Sequence, residues 1–352
     1  MHPDRWEHGS AFHWPGLPTP GRAEARPWSS GLLLFSGRDA LRLLLDHGVR
    51  ERGWQRLWVP EYYCQHTVAV FVRPELELRL YPDDPVRRRP DLPDTRSGDA
   101  ILLMNYFGLR ERVRVPHQEG VDLIEDHTHD PTSPWAYTSS ADFCIVSLRK
   151  ALPLSDGGTL WSPRGHVLPP APPLTAQRRR TAARTLEAMI LKAMYLDGHP
   201  VNKAAFRSLA FRGEIGFDIP AVSAMSDVAV AILTSYPLEA WRQARNTNYE
   251  VLRGRLESTP WARVLTPEAG DCVPFSCAVV LDSVGRYERV RQRLIDGRVY
   301  PTVYWPLEET VLPVGEEARE LSRRVLSIHC DGRYGAEDMH RVGDLLVGAG
   351  EP

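Results

Sequence analysis

Apolar residues first recur with helical spacing and then gather into short runs along the chain. The helical spacing predicts a helix after Gly37, with four aliphatic side chains on one face: Leu41, Leu44, Leu45 and Val49. The short runs predict strands at residues 57–59, 76–81, 100–104, 121–124 and 143–146. Several runs are continuously apolar, and the intervals between them are long enough for crossover connections. We therefore expect an α/β domain with a mostly parallel sheet flanked by helices.

The same pattern divides the chain into three parts. Residues 1–30 are rich in proline, glycine and tryptophan without periodicity, which predicts an arm over the body or over a partner subunit. Residues 31–236 hold the predicted sheet and form the large domain. Residues 237–352 alternate helical and strand-like segments, including a strand at 277–281 and a closing helix at about 336–348. They predict a smaller C-terminal α+β domain.

Composition and charge exclude several classes of protein. The 352 residues are 43% hydrophobic and 25% charged, which rules out a disordered or collagen-like chain. A formal net charge of −2 and the shortness of the basic runs argue against nucleic acid as a partner. The sequence has no run of about 18 apolar residues and no signal-peptide pattern, so we expect a cytoplasmic protein without a membrane partner. The five cysteines are scattered and form no disulfide or zinc motif.

Polar and aromatic residues directly follow four of the predicted strands. They occupy residues 60–64, 105–108, 125–129 and 147–150. The carboxyl ends of parallel strands meet at one edge of a sheet, and ligands bind beyond that edge. We therefore expect the functional site to be built from these four segments.

Lysine is rare in this chain, at three of 43 basic residues: Lys150, Lys192 and Lys203. Lys150 ends the four-residue segment 147–150 that follows the predicted strand at 143–146, and a Gly-Gly pair comes a few residues later. An amine that is desolvated beside a buried strand end is a good nucleophile toward carbonyls, and arginine cannot replace it in an imine. The segment predicts an imine-forming lysine, with a solvated loop lysine as the alternative.

An acidic and histidine-rich segment follows the predicted strand at 121–124. Asp126 comes at the strand end, where a carboxylate would keep the ring nitrogen of a pyridoxal cofactor protonated. His129 comes three residues after Asp126 and is a candidate to hydrogen-bond the phenolic oxygen of the same ring. The alternative is a metal site with four ligands: Asp126, His127, His129 and Asp130. The segment alone supports both.

Two further features suit a phosphorylated aromatic ligand. The predicted helix start offers unpaired N–H groups to an anion at three positions: Gly37, Arg38 and Asp39. Tyr62 and Tyr63 follow the first predicted strand of the series and suit stacking on a flat ring, or ordinary packing in the core.

The order of these features resembles the sugar aminotransferase family often called DegT/StrS, within the fold type I pyridoxal phosphate (PLP) enzymes. The resemblance is carried by the segments SGRDAL, VPEYYC, GDAILLMNYFG, EDHTH and SLRKALPLSDGG. Two segments near the C-terminus extend it over most of the chain: VYPTVYWPL and RVLSIHCDGRYGAEDMHRV.

The resemblance implies a fold, a cofactor and roles for individual residues. It implies PLP fold type I and a homodimer with sites near the subunit interface. Lys150 is then the lysine that holds PLP as an aldimine, and Asp126 binds the ring nitrogen. Tyr63 or Tyr62 then stacks on the ring, and His129 hydrogen-bonds its phenolic oxygen. Three residues then bind the phosphate: Arg38, Asp39 and Ser147.

The implied activity is transfer of an amino group from glutamate or glutamine to a carbonyl acceptor, such as a keto sugar or a specialised-metabolite precursor. Two departures from the family concern the substrate. Residues 213–225 replace its Asn-Tyr-Arg-Met stretch, and Glu308 stands where a substrate-side histidine is expected. Two alternatives therefore remain, a PLP-dependent lyase or β/γ-substitution enzyme and a non-catalytic binding protein on an inherited fold.

Overall fold

The strands of the computed structural model, which describes residues 5–17 and 25–350, form three sheets. Their bounds are β1 (His8–Gly9), β2 (Leu32–Leu34), β3 (Arg56–Pro60), β4 (Glu77–Tyr81), β5 (Asp99–Met104), β6 (Asp122–Asp126), β7 (Phe143–Val146), β8 (Gly158–Trp161), β9 (Ala262–Val264), β10 (Ser276–Leu281), β11 (Val299–Tyr300) and β12 (Val325–His329). The largest sheet has seven strands in the order β2-β8-β7-β6-β5-β3-β4.

Helices connect the strands and cover the sheets. Their bounds are α1 (Gly37–Glu51), α2 (Gln65–Phe71), α3 (Pro134–Tyr137), α4 (Leu148–Ala151), α5 (Ala176–Leu196), α6 (Lys203–Gly216), α7 (Asp227–Ser235), α8 (Leu238–Leu256), α9 (Val284–Asp296), α10 (Glu316–Ser322) and α11 (Ala336–Gly350). Among the described residues, no helix combines the length and the apolar character that a bilayer crossing requires.

The large sheet confirms the predicted fold class. Six of its strands run in one direction, and β8 alone runs against them. All five predicted strands of the series are present, as β3 to β7. Every residue of β5 and β7 is buried, as expected for strands covered on both faces. Only the edge strand β2 and its neighbour β8 were not predicted.

A smaller antiparallel sheet, in the order β12-β10-β9, forms the C-terminal part of the fold. It packs with α8, α9 and α11 around its own apolar core, to which Leu252, Val279, Leu326 and Leu346 contribute. The predicted strand at 277–281 and the predicted closing helix correspond to β10 and α11. The domain boundaries at residues 30 and 236 stay a prediction.

The structure describes residues 5–17 and 25–30 of the predicted N-terminal arm, and residues 5–17 pack on their own chain. β1 pairs in parallel with β11. The indole N–H of Trp6 donates to Asp338 at 2.7 Å, and the ammonium of Lys192 donates to the carbonyl of Ala11 at 2.7 Å. This part of the predicted arm therefore lies over the body, while residues 1–4 and 18–24 fall outside the described residues.

Candidate active site

A cavity of about 230 Å³ opens at the carboxyl edge of the large sheet, where the sequence predicts the site. Residues of β5, β6 and β7, the start of α1 and the segment around α4 line it. Seven of the nine predicted site residues line this cavity: Gly37, Arg38, Tyr63, Asp126, His129, Ser147 and Lys150. Residues far apart in sequence thus meet in one place.

The start of α1 forms one corner of the cavity. The Ser36 hydroxyl accepts a hydrogen bond from the Asp39 N–H at 3.1 Å and so begins the helix. The amides of Gly37 and Arg38 precede the first intrahelical hydrogen bonds and have no acceptor within the helix. A Cβ at Gly37 would lie 2.8 Å from the Cβ of Ser147, so glycine allows this helix start to contact the end of β7. Two amide donors therefore lie beside the Ser147 side chain, as a phosphate site requires.

Two predicted residues, Asp39 and Tyr62, do not line the cavity. The N–H of Asp39 donates to the Ser36 hydroxyl that caps the helix, and the buried Asp39 carboxylate accepts a hydrogen bond from Arg178 at 2.9 Å. The Tyr62 hydroxyl donates to the carbonyl of Tyr304. Of the tyrosine pair, which lies in a bend after β3, only Tyr63 lines the cavity.

Asp126 ends β6 and is 5% exposed. The Tyr63 hydroxyl donates to its Oδ2, and the N–H of Thr128 donates to its Oδ1 at 2.9 Å. Burial, together with this carboxylate, raises the pKa of Tyr63 well above its ordinary value, so Tyr63 remains a donor. The hydrogen bonds orient a carboxylate that can pair with a protonated ring nitrogen.

His129 is fully buried and stacks on three rings: Phe107, Phe275 and Trp305. Burial and the nearby charge of Lys150 lower the pKa of His129 well below its ordinary value, so the ring is neutral. The N–H of Phe107 donates to its Nδ1 at 2.9 Å, which leaves the proton of the neutral ring on Nε2. That Nε2 has no hydrogen-bond partner among the described residues. The cavity wall thus contains a buried N–H donor without an acceptor.

Lys150 lies on α4, the single turn that directly follows β7. Within the described residues, its ammonium has no hydrogen-bond acceptor. The backbone beside it is held from α8, because Trp241 and Arg245 both donate to the carbonyl of Ala151, at 2.9 and 2.8 Å. The lysine backbone is therefore fixed while its amine lines the cavity.

The four ligands of the metal alternative do not come together. Asp130 forms an ion pair with Arg242 at 3.0 Å. Strand alternation separates His127 from Asp126, and the Nε2 of His127 lies 3.0 Å from Oε2 of Glu125 instead. A different trio has ligand-type atoms within 4.8 Å of one another: Glu125, His127 and Cys144. The cavity itself therefore offers no such cluster among its described residues.

Several cavity residues were not singled out from the sequence: Cys64, His66, Thr128, Arg149, Glu214 and Asp218. Arg149 directly precedes Lys150 in the sequence, and this position is a signal by which it could be predicted as a cavity residue. Glu214 and Asp218 belong to the stretch at 213–225 that departs from the family pattern. Glu308, the other departure, does not line the cavity and lies 3.6 Å from Arg323.

Solved structures with similar chain folds extend these observations. Spr1654 from Streptococcus pneumoniae, in its PLP form, matches with a TM-score of 0.62 and 12% identity over 96% of this chain and 99% of that one. DesV of S. venezuelae, in complex with a ketimine intermediate, matches with a TM-score of 0.60 and 15% identity over 94% and 91%. A DegT DnrJ EryC1 StrS aminotransferase from Brucella abortus matches with a TM-score of 0.58 and 14% identity over 92% and 86%. This chain has the fold of the DegT/StrS aminotransferases.

The fold type I prediction is thereby confirmed over nearly the whole chain. No protein-family model matches the sequence, and no curated protein sequence matches it. At identities of 12–15% the likeness is one of fold, so the chemistry is argued from the cavity residues of this chain.

Proposed function

We propose that this protein is a PLP-dependent aminotransferase, which moves the amino group of an amino-acid donor to a carbonyl acceptor. The observation that carries the proposal is the convergence of three different groups on one cavity. They are the amine of Lys150, the carboxylate of Asp126 and the phosphate-type corner at Gly37 and Ser147. A phosphorylated pyridine aldehyde requires all three, whereas a simple anion site requires no lysine.

The polar groups of the cavity match the polar atoms of PLP one by one. The amides of Gly37 and Arg38, with Ser147, would hold the phosphate. The carboxylate of Asp126 would pair with the ring nitrogen. The Nε2–H of His129 would donate to the phenolic oxygen, which gives this buried donor an acceptor. The residues present therefore fit the cofactor.

When bound, PLP supplies an electron sink for the bonds at the α-carbon of the amino donor. The Nζ of Lys150 tethers the cofactor and, once released, is the base that removes the α-proton of the donor. The negative charge of Asp126 holds a proton on the ring nitrogen. Tyr63 and Trp305, with ring centroids 5.8 Å apart, contribute aromatic surface to the cavity wall.

We further propose glutamate or glutamine as the donor, and a keto sugar or a specialised-metabolite precursor as the acceptor. The fold shared with DesV, a structure that holds a ketimine intermediate, supports amino transfer as the reaction.

A homodimer is part of the proposal. Four large apolar side chains on α5 and α6 are exposed: Ile190, Met194, Phe211 and Ile215. Exposed apolar side chains grouped on neighbouring helices are typical of an interface. Light scattering after gel filtration should give twice the chain mass, and F211E with I215E should give the monomer. A monomeric wild type at micromolar concentration would exclude the dimer.

Absorbance spectra test the proposed activity. Wild type mixed with PLP should develop a visible band, and Lys150→Ala should not. Lys203→Ala is the matched control, because Lys203 pairs with Glu7 away from the cavity and its loss should leave the band unchanged. Adding glutamate or glutamine should bleach the band. A band that no amino donor converts would favour the lyase or substitution enzyme, and absence of any PLP uptake would leave only the binding protein.

A further inference from the structure

Two ion pairs lie in the cavity beside the phosphate-type corner. Arg149 binds Glu214 through two hydrogen bonds, from Nη1 at 3.1 Å and from Nη2 at 2.7 Å. Arg38 binds Asp218 through Nη1. Both acids come from the end of α6 and the residues directly after it, and all four side chains line the cavity.

The two arginines belong to the two chain segments that meet at this corner. Arg38 directly follows Gly37, and Arg149 comes two residues after Ser147. The segments are in contact, since a Cβ at Gly37 would lie 2.8 Å from the Cβ of Ser147. Despite partial burial, Arg149 and then Arg38 hold the pKa of Glu214 below its ordinary value. Both guanidinium groups therefore act on the same part of the cavity.

The arginines are anchored, whereas the acids are exposed. The Arg149 and Arg38 side chains are 20% and 16% exposed, against 58% for Glu214 and 61% for Asp218. The guanidinium carbon of Arg149 lies 3.9 Å from the ring centroid of Phe217. The Nε of Arg149 is buried without a hydrogen-bond partner among the described residues. Because exposed ion pairs contribute little to stability, both acids can turn toward solvent at small cost.

The charges in the cavity explain what would make the acids turn. Its three cations are Lys150, Arg38 and Arg149, and they face three carboxylates: Asp126, Glu214 and Asp218. A phosphate dianion in the corner would add negative charge beside two of these acids, which repels them. Guanidinium groups bind phosphate through paired, charge-assisted hydrogen bonds. The dianion and the acids therefore compete for the same arginines.

We propose that Arg38 and Arg149 are side-chain ligands of the cofactor phosphate, and that Glu214 and Asp218 hold these arginines until a phosphate displaces them. The inference rests on the proposed function, because it takes the phosphate to be that of PLP. It follows that the two acids weaken the binding of phosphate monoesters. It also follows that the segment after α6 changes its contacts when the cofactor binds.

The test compares PLP with pyridoxal, which lacks only the phosphate. In E214Q and D218N, the dissociation constant for PLP should fall roughly two- to fivefold, the worth of an exposed ion pair, while that for pyridoxal stays unchanged. In R149Q it should rise roughly ten- to hundredfold for PLP alone, and R149K should recover part of the affinity. E250Q is the matched control, because the Arg253–Glu250 pair is exposed, at 41% and 47%, and lines no pocket with Arg38 or Arg149. It should change neither constant.

Unchanged or weaker PLP binding in E214Q and D218N would overturn the inference, and so would an equal loss of PLP and pyridoxal in R149Q. Calorimetric titration with inorganic phosphate distinguishes failure of this inference from failure of the proposed function. If neither wild type nor any variant binds PLP, the aminotransferase proposal fails. The anion site then stands if E214Q binds inorganic phosphate more tightly than wild type, and falls if it does not.

Discussion

The hydroxyl of Tyr63 donates its hydrogen bond to the carboxylate of Asp126 across the end of β5. Tyr63 follows β3 and Asp126 ends β6, and β5 separates these two strands in the sheet. The bond therefore joins two strand ends that have no backbone contact with each other, and it orients the cavity carboxylate from the side.

Tyr63→Phe should destabilise the protein without cofactor by about 1–3 kcal/mol, because the buried Asp126 carboxylate loses one of its two donors. Urea unfolding monitored by circular dichroism measures the change. Tyr137→Phe, in which an exposed hydroxyl is removed, is the control and should stay within about 0.5 kcal/mol of wild type. Equal stability of the Tyr63 variant and wild type would mean that the bond contributes nothing.

Asp126→Asn should retain PLP but slow the half-reaction with glutamate by at least about 100-fold, because a neutral amide no longer stabilises the protonated ring nitrogen. Stopped-flow decay of the visible absorbance measures the rate. Glu308→Gln, at an exposed acid outside the cavity, should react at the wild-type rate. A fast Asp126 variant would remove the electrostatic role assigned to this residue.

His8→Phe should make the protein less sensitive to acid. Burial, assisted by His329 and Arg333, lowers the pKa of His8 from 6.5 to about 3, and neither ring nitrogen has a hydrogen-bond partner among the described residues. As the pH falls below 6.5, the unfolded chain takes up a proton here and the folded chain does not, so stability declines. Phenylalanine removes this decline, which amounts to about 2 kcal/mol between pH 7.5 and pH 5.

Urea unfolding of the His8 variant and wild type at both pH values provides the measurement. The stability difference between the two proteins should favour the variant more at pH 5 than at pH 7.5. A difference that is the same at both pH values would show that His8 is protonated equally in the folded and unfolded chains.

Gly158→Ala should disturb the phosphate corner. An added Cβ would lie 2.3 Å from the carbonyl carbon of Ser36 and 2.6 Å from the amide nitrogen of Gly37, so the start of α1 must move. We expect a loss of about 1–3 kcal/mol in stability, and PLP binding weakened more than pyridoxal binding. Gly254→Ala on α8, where a Cβ meets nothing within 4 Å, should instead gain up to about 1 kcal/mol. Parallel losses for both ligands would place the damage outside the corner.

The sequence predicted the strands of the large sheet because their burial on both faces produces continuous apolar runs, as in β5 and β7. It did not predict β8, which begins at Gly158 and contains Thr159. It also did not predict α6, whose described side chains are mostly exposed, with only Phe206 and Gly213 buried. A helix with so little buried surface carries no apolar stripe for periodicity to detect.

The site shows the same division between local and long-range information. The sequence predicts Lys150 and Asp126 as site residues because each lies at or close to the end of an apolar strand, which is a local signal. The choice between Tyr62 and Tyr63 depends on which side of the strand end faces the cavity, and no local pattern reports it. The rings around His129 come from three distant segments, at Phe107, Phe275 and Trp305, and only the folded chain brings them together.

The parallel pairing of β1 with β11 bears on the order in which the chain assembles during synthesis. β1 is translated before its partner, which leaves the ribosome only after β10 and α9 have been made. The indole of Trp6 gains its hydrogen-bond acceptor later still, because Asp338 lies on α11. Docking of the segment around β1 therefore follows synthesis of α11, and protection of this segment from proteolysis would report that synthesis has passed α11.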